Sequence, residues 1–392
     1  MPTPSLLIVP ARFKSGKLYS QVPTSGTGDF TVTRATSATR VNASGLIESV
    51  ASGIPRLDYF ASGGVVGCPA LLVEPSAQNL VLHSRDLTNA VWSGSNVTTA
   101  KNAVGADGVA SGATTLTATA ASGTVLQALS HASQSRIFSA YVRRVSGSGA
   151  IQMTTNGGTN WTTVTISSLY TQVACAAQTV ASGTVGFRMA VSGDVIEVDF
   201  TQGEVGPVFT SPIPTTTAAV TRNADVVSVS GAVSGAIGQT VGTIYCEFAY
   251  FGRPSVQSGP IFLRETSLRG LSIGTAGVTN INFTSRNAAG STSLAIVTGS
   301  VQLNTYYKVA IAYDANGTAA GGSEASGVVA YVNGVQTNIG TFRVPDGVLS
   351  EFRMYGAPAA SADNDPFNGR IRAAALYTTR LTNAQLAALT TP

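Results

Sequence analysis

Apolar and polar residues alternate in short segments along most of the chain, and this pattern predicts β-strands. The alternation is complete in Ile196–Phe200, where apolar side chains share one face and the carboxylates of Glu197 and Asp199 share the other, solvated face. Phe30–Arg34 and Leu71–Pro75 also predict strands nearer the N-terminus. From about residue 84 onward, strand-like segments return every ~8–12 residues, a spacing typical of β-sandwiches. They are predicted at Arg136–Val145, Trp161–Ile166, Thr184–Val191, Val195–Thr201, Gly242–Phe251, Gly259–Arg264, Ile281–Arg286, Ser293–Val297, Tyr306–Tyr313, Gly327–Val332, Leu349–Tyr355 and Gly369–Tyr377.

Two local signals near the C-terminus predict specific backbone geometry. Asn333 and Gly334 stand between two apolar runs, and both residue types accept the positive φ of a type I′ hairpin turn. Thr382 and Gln385 have the spacing of a capping box, which predicts a short C-terminal helix. The fold class is therefore all-β: two tandem β-sandwiches behind an extended N-terminal region, with one short helix at the end.

The length and the distribution of proline predict the domain boundaries. A chain of 392 residues is too long for one ordinary core. Residues 1–80 contain few large apolar side chains, so we expect an N-terminal anchoring or assembly region. Residues 81–206 are predicted to form the first sandwich, residues 207–222 a linker rich in proline and threonine, and residues 223–392 the second sandwich.

Composition and charge narrow the choice of partners. Charged residues make up only 11% of the chain, against about 25% in ordinary soluble domains. The net charge of +4 is spread without a basic stripe, so no nucleic-acid binding is expected. A weakly charged surface rich in hydroxyl groups suits neutral, hydroxylated partners such as glycans, or identical copies of the chain.

The cysteines and the lack of long apolar runs indicate the cellular compartment in which the protein is expected. Cys68, Cys175 and Cys246 are far apart and odd in number, so we expect buried free thiols rather than disulfides or a zinc site. No apolar run approaches the ~20 residues of a membrane span, and the proline-broken N-terminus does not resemble a signal peptide. We expect assembly in a cytoplasm followed by release, without membrane insertion.

Three groups of motifs resemble proteins of tailed bacteriophages. Residues 33–48 (TRATSATRVNASGLIE), together with PRLDY at 55–59 and LLVEP at 71–75, are similar to the N-terminal region of tail and tail-fibre proteins. Residues 211–225 (SPIPTTTAAVTRNAD) resemble the junction that follows a carbohydrate-binding-like jelly roll in the same proteins. Residues 240–392, with YVNG at 331–334 and FNGRIR at 367–372, resemble a concanavalin-A-like, laminin-G-type sandwich.

The resemblance implies a virion protein exposed on the particle surface. The first hypothesis is a tail-fibre or tail-tip component that attaches to host-surface glycans. The alternative is a capsid or tail decoration protein with a purely structural role. In either case we expect contacts with other virion proteins through residues 1–80 and a homo-oligomer, with a trimer favoured.

Catalytic chemistry is not predicted. Hydrolases of glycosidic bonds need two carboxylates about 5–5.5 Å apart for a retaining mechanism. Glu197 and Asp199 lack the third acid of the concanavalin-type arrangement, and their alternation is that of a solvated strand face. The two histidines, His83 and His131, lie in no nucleophile motif. We therefore expect a non-enzymatic protein that requires no cofactor.

Candidate binding residues come from two residue patterns. Exposed aromatic rings stack on sugars, and neighbouring amides bind their hydroxyl groups. The glycan-binding candidates are Trp161, Asn156 and Asn160 in the first sandwich and Tyr355 and Arg353 in the second, while Trp92 is predicted to be buried. Asp314, Asp363 and Asp365 lie in oxygen-rich loops that fit either Ca²⁺ ligation or ordinary turns.

Overall fold

The structure is a computed structural model that describes residues 1–59, 61–62, 65–252, 257–265, 270–276, 280–298, 301–317, 327–355 and 367–392. It confirms the predicted fold class, with antiparallel strands in packed sheets and a short α-helix at the C-terminus. In the described part of the chain, no helix has the length and apolarity that crossing a membrane requires.

The strands fall into three stretches of the chain. The first comprises β1 (Leu6–Ile8), β2 (Phe13–Lys14), β3 (Lys17–Leu18), β4 (Phe30–Thr33), β5 (Ala38–Val41), β6 (Ile47–Val50), β7 (Leu57–Asp58), β8 (Ala61–Ser62), β9 (Val65–Val66), β10 (Ala70–Val73) and β11 (Ala77–Asn79). The second comprises β12 (Ser93–Ser95), β13 (Val97–Ala103), β14 (Ala113–Ala118), β15 (Gly123–Ala128), β16 (Gln134–Ser146), β17 (Ile151–Thr154), β18 (Thr162–Val164), β19 (Thr171–Ala174), β20 (Gln178–Val180), β21 (Thr184–Met189) and β22 (Val195–Val205). The third comprises β23 (Val220–Arg222), β24 (Val226–Ser230), β25 (Val241–Tyr250), β26 (Gln257–Arg264), β27 (Gly270–Ala276), β28 (Asn280–Asn287), β29 (Gly290–Thr298), β30 (Tyr306–Asp314), β31 (Val328–Val332), β32 (Val335–Gly340), β33 (Glu351–Tyr355) and β34 (Gly369–Tyr377), with a 3₁₀ turn at Ala232–Ala236 and helix α1 at Asn383–Thr390.

The first compact unit, unit 1, consists of Met1–Ala35, Ala51–Ser76 and Asn223–Pro392. One of its sheets has the order β32-β31-β30-β25-β34-β10-β7, with β1 also paired to β34. The other has the order β2-β3-β4-β24-β33-β26-β27-β28-β29. Large side chains of both sheets, among them Phe248 and Phe352, fill one continuous apolar core.

The second compact unit, unit 2, consists of Thr36–Val50 and Ala77–Arg222. Its two main sheets have the orders β12-β15-β21-β17-β18 and β13-β14-β22-β16-β19, with β20 also paired to β16. Phe138 and Phe187 meet edge to face in the core between these sheets, with their ring centroids 5.4 Å apart. The hairpin β5–β6 joins this unit, since Ile47 N–H donates to Ala106 O at 3.0 Å.

The domain boundaries predicted from the sequence differ from those of the structure. Residues 1–80 do not form a separate region, because β1 and β10 pair with β34 and β4 pairs with β24. Residues 207–222 are not a free linker but part of unit 2. Side chains of the unit bind backbone N–H groups of this segment: Gln202 Oε1 accepts from Ile213 N–H at 2.6 Å, and Glu204 Oε2 accepts from Thr210 N–H at 2.9 Å.

A buried ion network connects the N-terminal segments of unit 1 to its C-terminal sandwich. Arg56 has no exposed surface and binds Glu74 Oε2 through Nη1 at 2.6 Å and Asp225 through Nη2. Arg34 Nη1 donates to the other oxygen of Asp225 at 2.8 Å. Burial by itself lowers the pKa of Arg56, but the two carboxylates outweigh burial and hold the pKa above its ordinary value. Two cations and two carboxylates make the network neutral, which a buried site requires.

The local signals near the C-terminus are confirmed. Asn333 and Gly334 both have positive φ, at 49° and 84°, in the turn between β31 and β32. Thr382 and Gln385 form both hydrogen bonds of a capping box at the start of α1.

One local expectation about the cysteines is wrong. Cys175 and Cys246 are buried, as predicted, but Cys68 is exposed. Burial raises the pKa of Cys175 to about 11, so its thiol is unreactive at neutral pH.

Replacing Arg56 by methionine is predicted to destabilise the protein by about 3–5 kcal/mol, because Glu74 would remain buried without its arginine and Asp225 would keep only Arg34. Chemical denaturation measures the change. The matched control is Arg40→Met, which removes the more exposed ion pair with Glu48 and should cost no more than about 1 kcal/mol. Equal losses of unfolding free energy in the two variants would show that the buried network stabilises the protein no more than an exposed ion pair does.

Candidate functional site on the outer face of unit 2

A row of polar side chains crosses the five-stranded sheet of unit 2 on the face that points away from the core. Strand register places one residue of each strand in this row, because Thr124 pairs with Ser95 and Arg188, and Gln152 pairs with Arg188 and Thr163. The alternate residues of these strands, such as Val125 and Phe187, are buried in the core. The row, from one edge of the sheet to the other, consists of Ser95, Thr124, Arg188, Gln152 and Thr163; we call it the outer row.

Trp161 stands at the end of the outer row and packs on its arginine. The Arg188 guanidinium lies 4.6 Å from the centroid of the indole ring, a cation–π contact. Arg188 Nε donates to Gln152 Oε1 at 2.7 Å, and Gln152 Nε2 donates to Thr163 Oγ1 at 3.3 Å. Trp161 is half-buried, and its indole N–H has no hydrogen-bond partner within the described residues. The guanidinium thus occupies one face of the indole ring, and the half-buried side chain still has exposed surface for a ligand.

A tight loop before Trp161 sets its position. Thr154 Oγ1 accepts from the N–H groups of Asn156 and Gly158 and donates to Asn156 Oδ1, at 3.0–3.2 Å. Asn156 Oδ1 also accepts from Asn160 N–H at 2.9 Å. Gly158 has φ of +91° and lies against the indole, where a Cβ would come within 2.8 Å of the ring. The loop is thus built by side chain to backbone bonds that leave room only for glycine beside the ring.

The structure brings the three candidates of the first sandwich together but gives them different environments. Asn156 is engaged within the loop, and its Nδ2 donates to Gln178 Oε1 at 2.6 Å. Asn160 is exposed, and its side chain makes no hydrogen bond in the described structure. Trp92 is buried, as predicted, and its Nε1 lies 3.4 Å from His83 O. Trp161 and Asn160 are accordingly the members of this group that a ligand can reach.

The candidates in unit 1 are engaged in local contacts or have side chains outside the described residues. Arg353 pairs with Glu351, with Nε 2.5 Å from Oε1. The backbone of Tyr355 ends β33, and its side chain is outside the described part. Asp314 Oδ1 accepts from Asn316 N–H at 2.8 Å, which is the turn interpretation of this loop.

The calcium prediction for these loops stays a prediction. Asp363 and Asp365 lie outside the described residues. Among the residues that are described, no group of three or more His, Cys, Asp or Glu side chains could hold a metal ion.

The acidic pair of β22 differs from the sequence expectation of a solvated face. Asp199 is buried and forms a two-pronged ion pair with Arg85, at 2.8 and 2.9 Å. Burial raises the pKa of Asp199, and the bonds from Arg85 offset this only in part. Glu197 is bound separately by Arg143, with Nε 2.5 Å from Oε2. Each carboxylate is thus held by its own arginine, an arrangement that secures the sheet.

Sequence reasoning missed Arg188, Gln152, Thr124 and Thr163, which form the outer row together with Ser95. Arg188 and Gln152 each stand between two buried apolar residues of their own strand. The alternation was visible in the sequence, but which strands are neighbours, and in which register, depends on the long-range pairing.

Residues 249–387, within unit 1, match the family model described as Laminin_G_3, of the concanavalin A-like lectin/glucanases superfamily. The predicted concanavalin-A-like character of this part of the chain is thereby confirmed. No curated protein is a significant match to the sequence.

Similar solved structures include the Ruminococcus gnavus IT-sialidase CBM40, with 16% identity and a TM-score of 0.32 over 41% of this chain and 88% of that chain. Domain 4 of AbnA, a GH43 extracellular arabinanase from Geobacillus stearothermophilus, is 17% identical with a TM-score of 0.32, over 43% and 73% of the two chains. A botulinum neurotoxin type C structure is 15% identical with a TM-score of 0.33, over 47% and 44%. Values this low say nothing about the ligand of this chain.

Thr154→Val is predicted to loosen the loop and expose Trp161, because it removes three hydrogen bonds worth about 0.5–1.5 kcal/mol each. Acrylamide quenching of tryptophan fluorescence is the measurement, and it is clean because the other tryptophan, Trp92, is buried. Quenching of Trp161 should become faster. The control is Thr163→Val, which removes one long, exposed bond and should leave quenching unchanged. Unchanged quenching in Thr154→Val would show that other contacts position the ring.

Proposed function

We propose that this protein is a bacteriophage virion component of the tail fibre or tail tip that attaches to glycans on the host surface. The observation that carries the proposal is the half-buried indole of Trp161 at the end of a polar row on an outward sheet face. The motif resemblance of residues 33–75 supports the virion assignment, and the concanavalin A-like lectin/glucanases match of residues 249–387 supports a binding role.

The geometry of the outer row suits a sugar. A pyranose ring presents C–H groups on one face, which pack on an aromatic ring, and hydroxyl groups around its edge, which both donate and accept hydrogen bonds. Trp161 supplies the ring. The neighbouring donors and acceptors belong to Gln152, Thr163 and Asn160.

A shallow face of this kind binds one sugar weakly, and several copies compensate. Linked sites raise the overall affinity by orders of magnitude without any new contact, provided that they engage at once. We also propose a trimer and contacts to other virion proteins. The trimer would place three outer rows on one particle appendage. We propose no catalytic role, since the acidic pair of β22 is bound by arginines.

Trp161→Ala is predicted to weaken binding to polysaccharide purified from host cells at least about tenfold, or about 1.4 kcal/mol, because the stacking surface is lost. Calorimetry on the intact protein measures the change. Arg353→Gln in unit 1 is the control and should bind like the wild type. Loss of binding in Arg353→Gln with full binding in Trp161→Ala would move the site to the other unit.

Immunogold labelling of intact particles, with antibody against residues 223–392, tests the virion assignment. We expect label at the tail tip or fibres. Label over the head would favour the decoration protein instead, and particles without label would contradict a virion role.

A further inference from the structure

The charge distribution around the outer row is one-sided. Residues 108–193 include four arginines and no aspartate or glutamate. This stretch supplies β14 to β21, and therefore the four strands of the five-stranded sheet that carry Thr124, Arg188, Gln152 and Thr163. A ligand on the outer row would meet positive charge without a carboxylate from the row itself.

Two of the four arginines are neutralised from elsewhere in the unit. Arg143 pairs with Glu197, with Nε 2.5 Å from Oε2, and it lies over the ring of Tyr170. Arg144 Nη1 lies 3.7 Å from Asp194 Oδ1. Arg188 has the same kind of aromatic contact as Arg143, but within the described residues no carboxylate reaches it. This contrast separates a structural arginine from one that is available to a ligand.

The fourth arginine, Arg136, also lacks a carboxylate partner in the described part of the chain. It is buried, and burial lowers its pKa. Its Nε lies 2.8 Å from His131 Nδ1, and its Nη1 has no hydrogen-bond partner among the described residues. His131 Nε2 lies 3.2 Å from Gly183 N, and the adjacent Thr184 O accepts from Gly157 N–H in the Trp161 loop. A second uncompensated cation is therefore linked to this loop, and its charge adds to the positive potential there.

The side chain of Arg188 is held in place with its terminal nitrogens free. Nε is used by Gln152 and the guanidinium plane by Trp161, but Nη1 and Nη2 have no partner within the described residues. Two parallel N–H donors on a fixed guanidinium match the two oxygens of a carboxylate, or two oxygens of a sulfate or phosphate. A neutral sugar would not require these two parallel donors of the Arg188 guanidinium.

We propose that the ligand of the outer row is an acidic glycan, whose anionic group is bound by Arg188 while its sugar ring packs on Trp161. This inference rests on the proposed glycan-binding function and adds its substrate class. The anion would take the free Nη1 and Nη2 donors, so that the cation–π contact and the bond to Gln152 remain.

A glycan array tests the proposal with paired probes. Each pair contains an acidic glycan and its neutralised counterpart: a uronic acid oligosaccharide and its methyl ester, a sulfated glycan and its desulfated form, and a phosphorylated glycan and its dephosphorylated form. The wild-type protein should bind the acidic member of at least one pair tenfold or more tightly, and this preference should fall as salt concentration rises. The pair that shows the preference identifies the anionic group.

Arg188→Gln should abolish the preference and bind both members of that pair alike. Arg188→Lys keeps a charge without the two parallel donors and should retain part of the preference. The matched control is Arg143→Gln, which removes an arginine that also stacks on an aromatic ring but has its own carboxylate, and it should keep the full preference. Tryptophan fluorescence and a thermal melt verify that each variant retains its fold and the position of Trp161.

The outcomes separate the inference from the function on which it rests. Binding of neutral glycans as tightly as acidic ones would overturn the inference and leave the glycan-binding proposal standing. Acidic preference that survives in Arg188→Gln would also overturn it. If no glycan is bound, the proposed function and the inference both fail.

Discussion

The guanidinium of Arg56 is fully buried, and its positive charge must be neutralised by other groups of the fold. These groups are Glu74 and Asp225, which come from positions 18 and 169 residues further along the chain. A buried cation without partners would cost several kcal/mol, so the three segments that carry these groups must come together for any of them to be stable. The network therefore does more than add contacts. It makes pairing of the N-terminal strands with β24 and β34 a condition of folding for unit 1.

The same network explains which sequence motifs were conspicuous and why they did not reveal the outer row. Arg34, Arg56, Glu74 and Asp225 all belong to the motif segments at residues 33–48, 55–59, 71–75 and 211–225. They are neutralised inside the fold and have little surface to offer a ligand. The residues of the outer row, in contrast, are Ser95, Thr124, Arg188, Gln152 and Thr163, which lie on separate strands and which no sequence motif distinguishes.

Local physical rules predicted local structure well. The Asn333–Gly334 turn and the capping box of α1 depend on residues within a few positions of one another, and both appear as expected. The long-range pairing of strands could not be predicted from the local sequence. The alternation of Ile196–Phe200 predicted a strand correctly but placed Asp199 in solvent, because nothing local shows that Arg85 would cover it. For the same reason Trp161 could be chosen as a candidate, whereas its neighbour Arg188 emerged only from the register of β17 and β21.

The chain passes between the two compact units four times, after residues 35, 50, 76 and 222. Neither unit is therefore encoded by one uninterrupted stretch of the gene. A recombination event that transferred only residues 77–222 would leave the hairpin β5–β6 behind, and one that transferred only residues 223–392 would leave Asp225 without its arginines. Exchange of either unit as one contiguous module is thus disfavoured. Outward strand positions, in contrast, can accept point substitutions without disturbing either core.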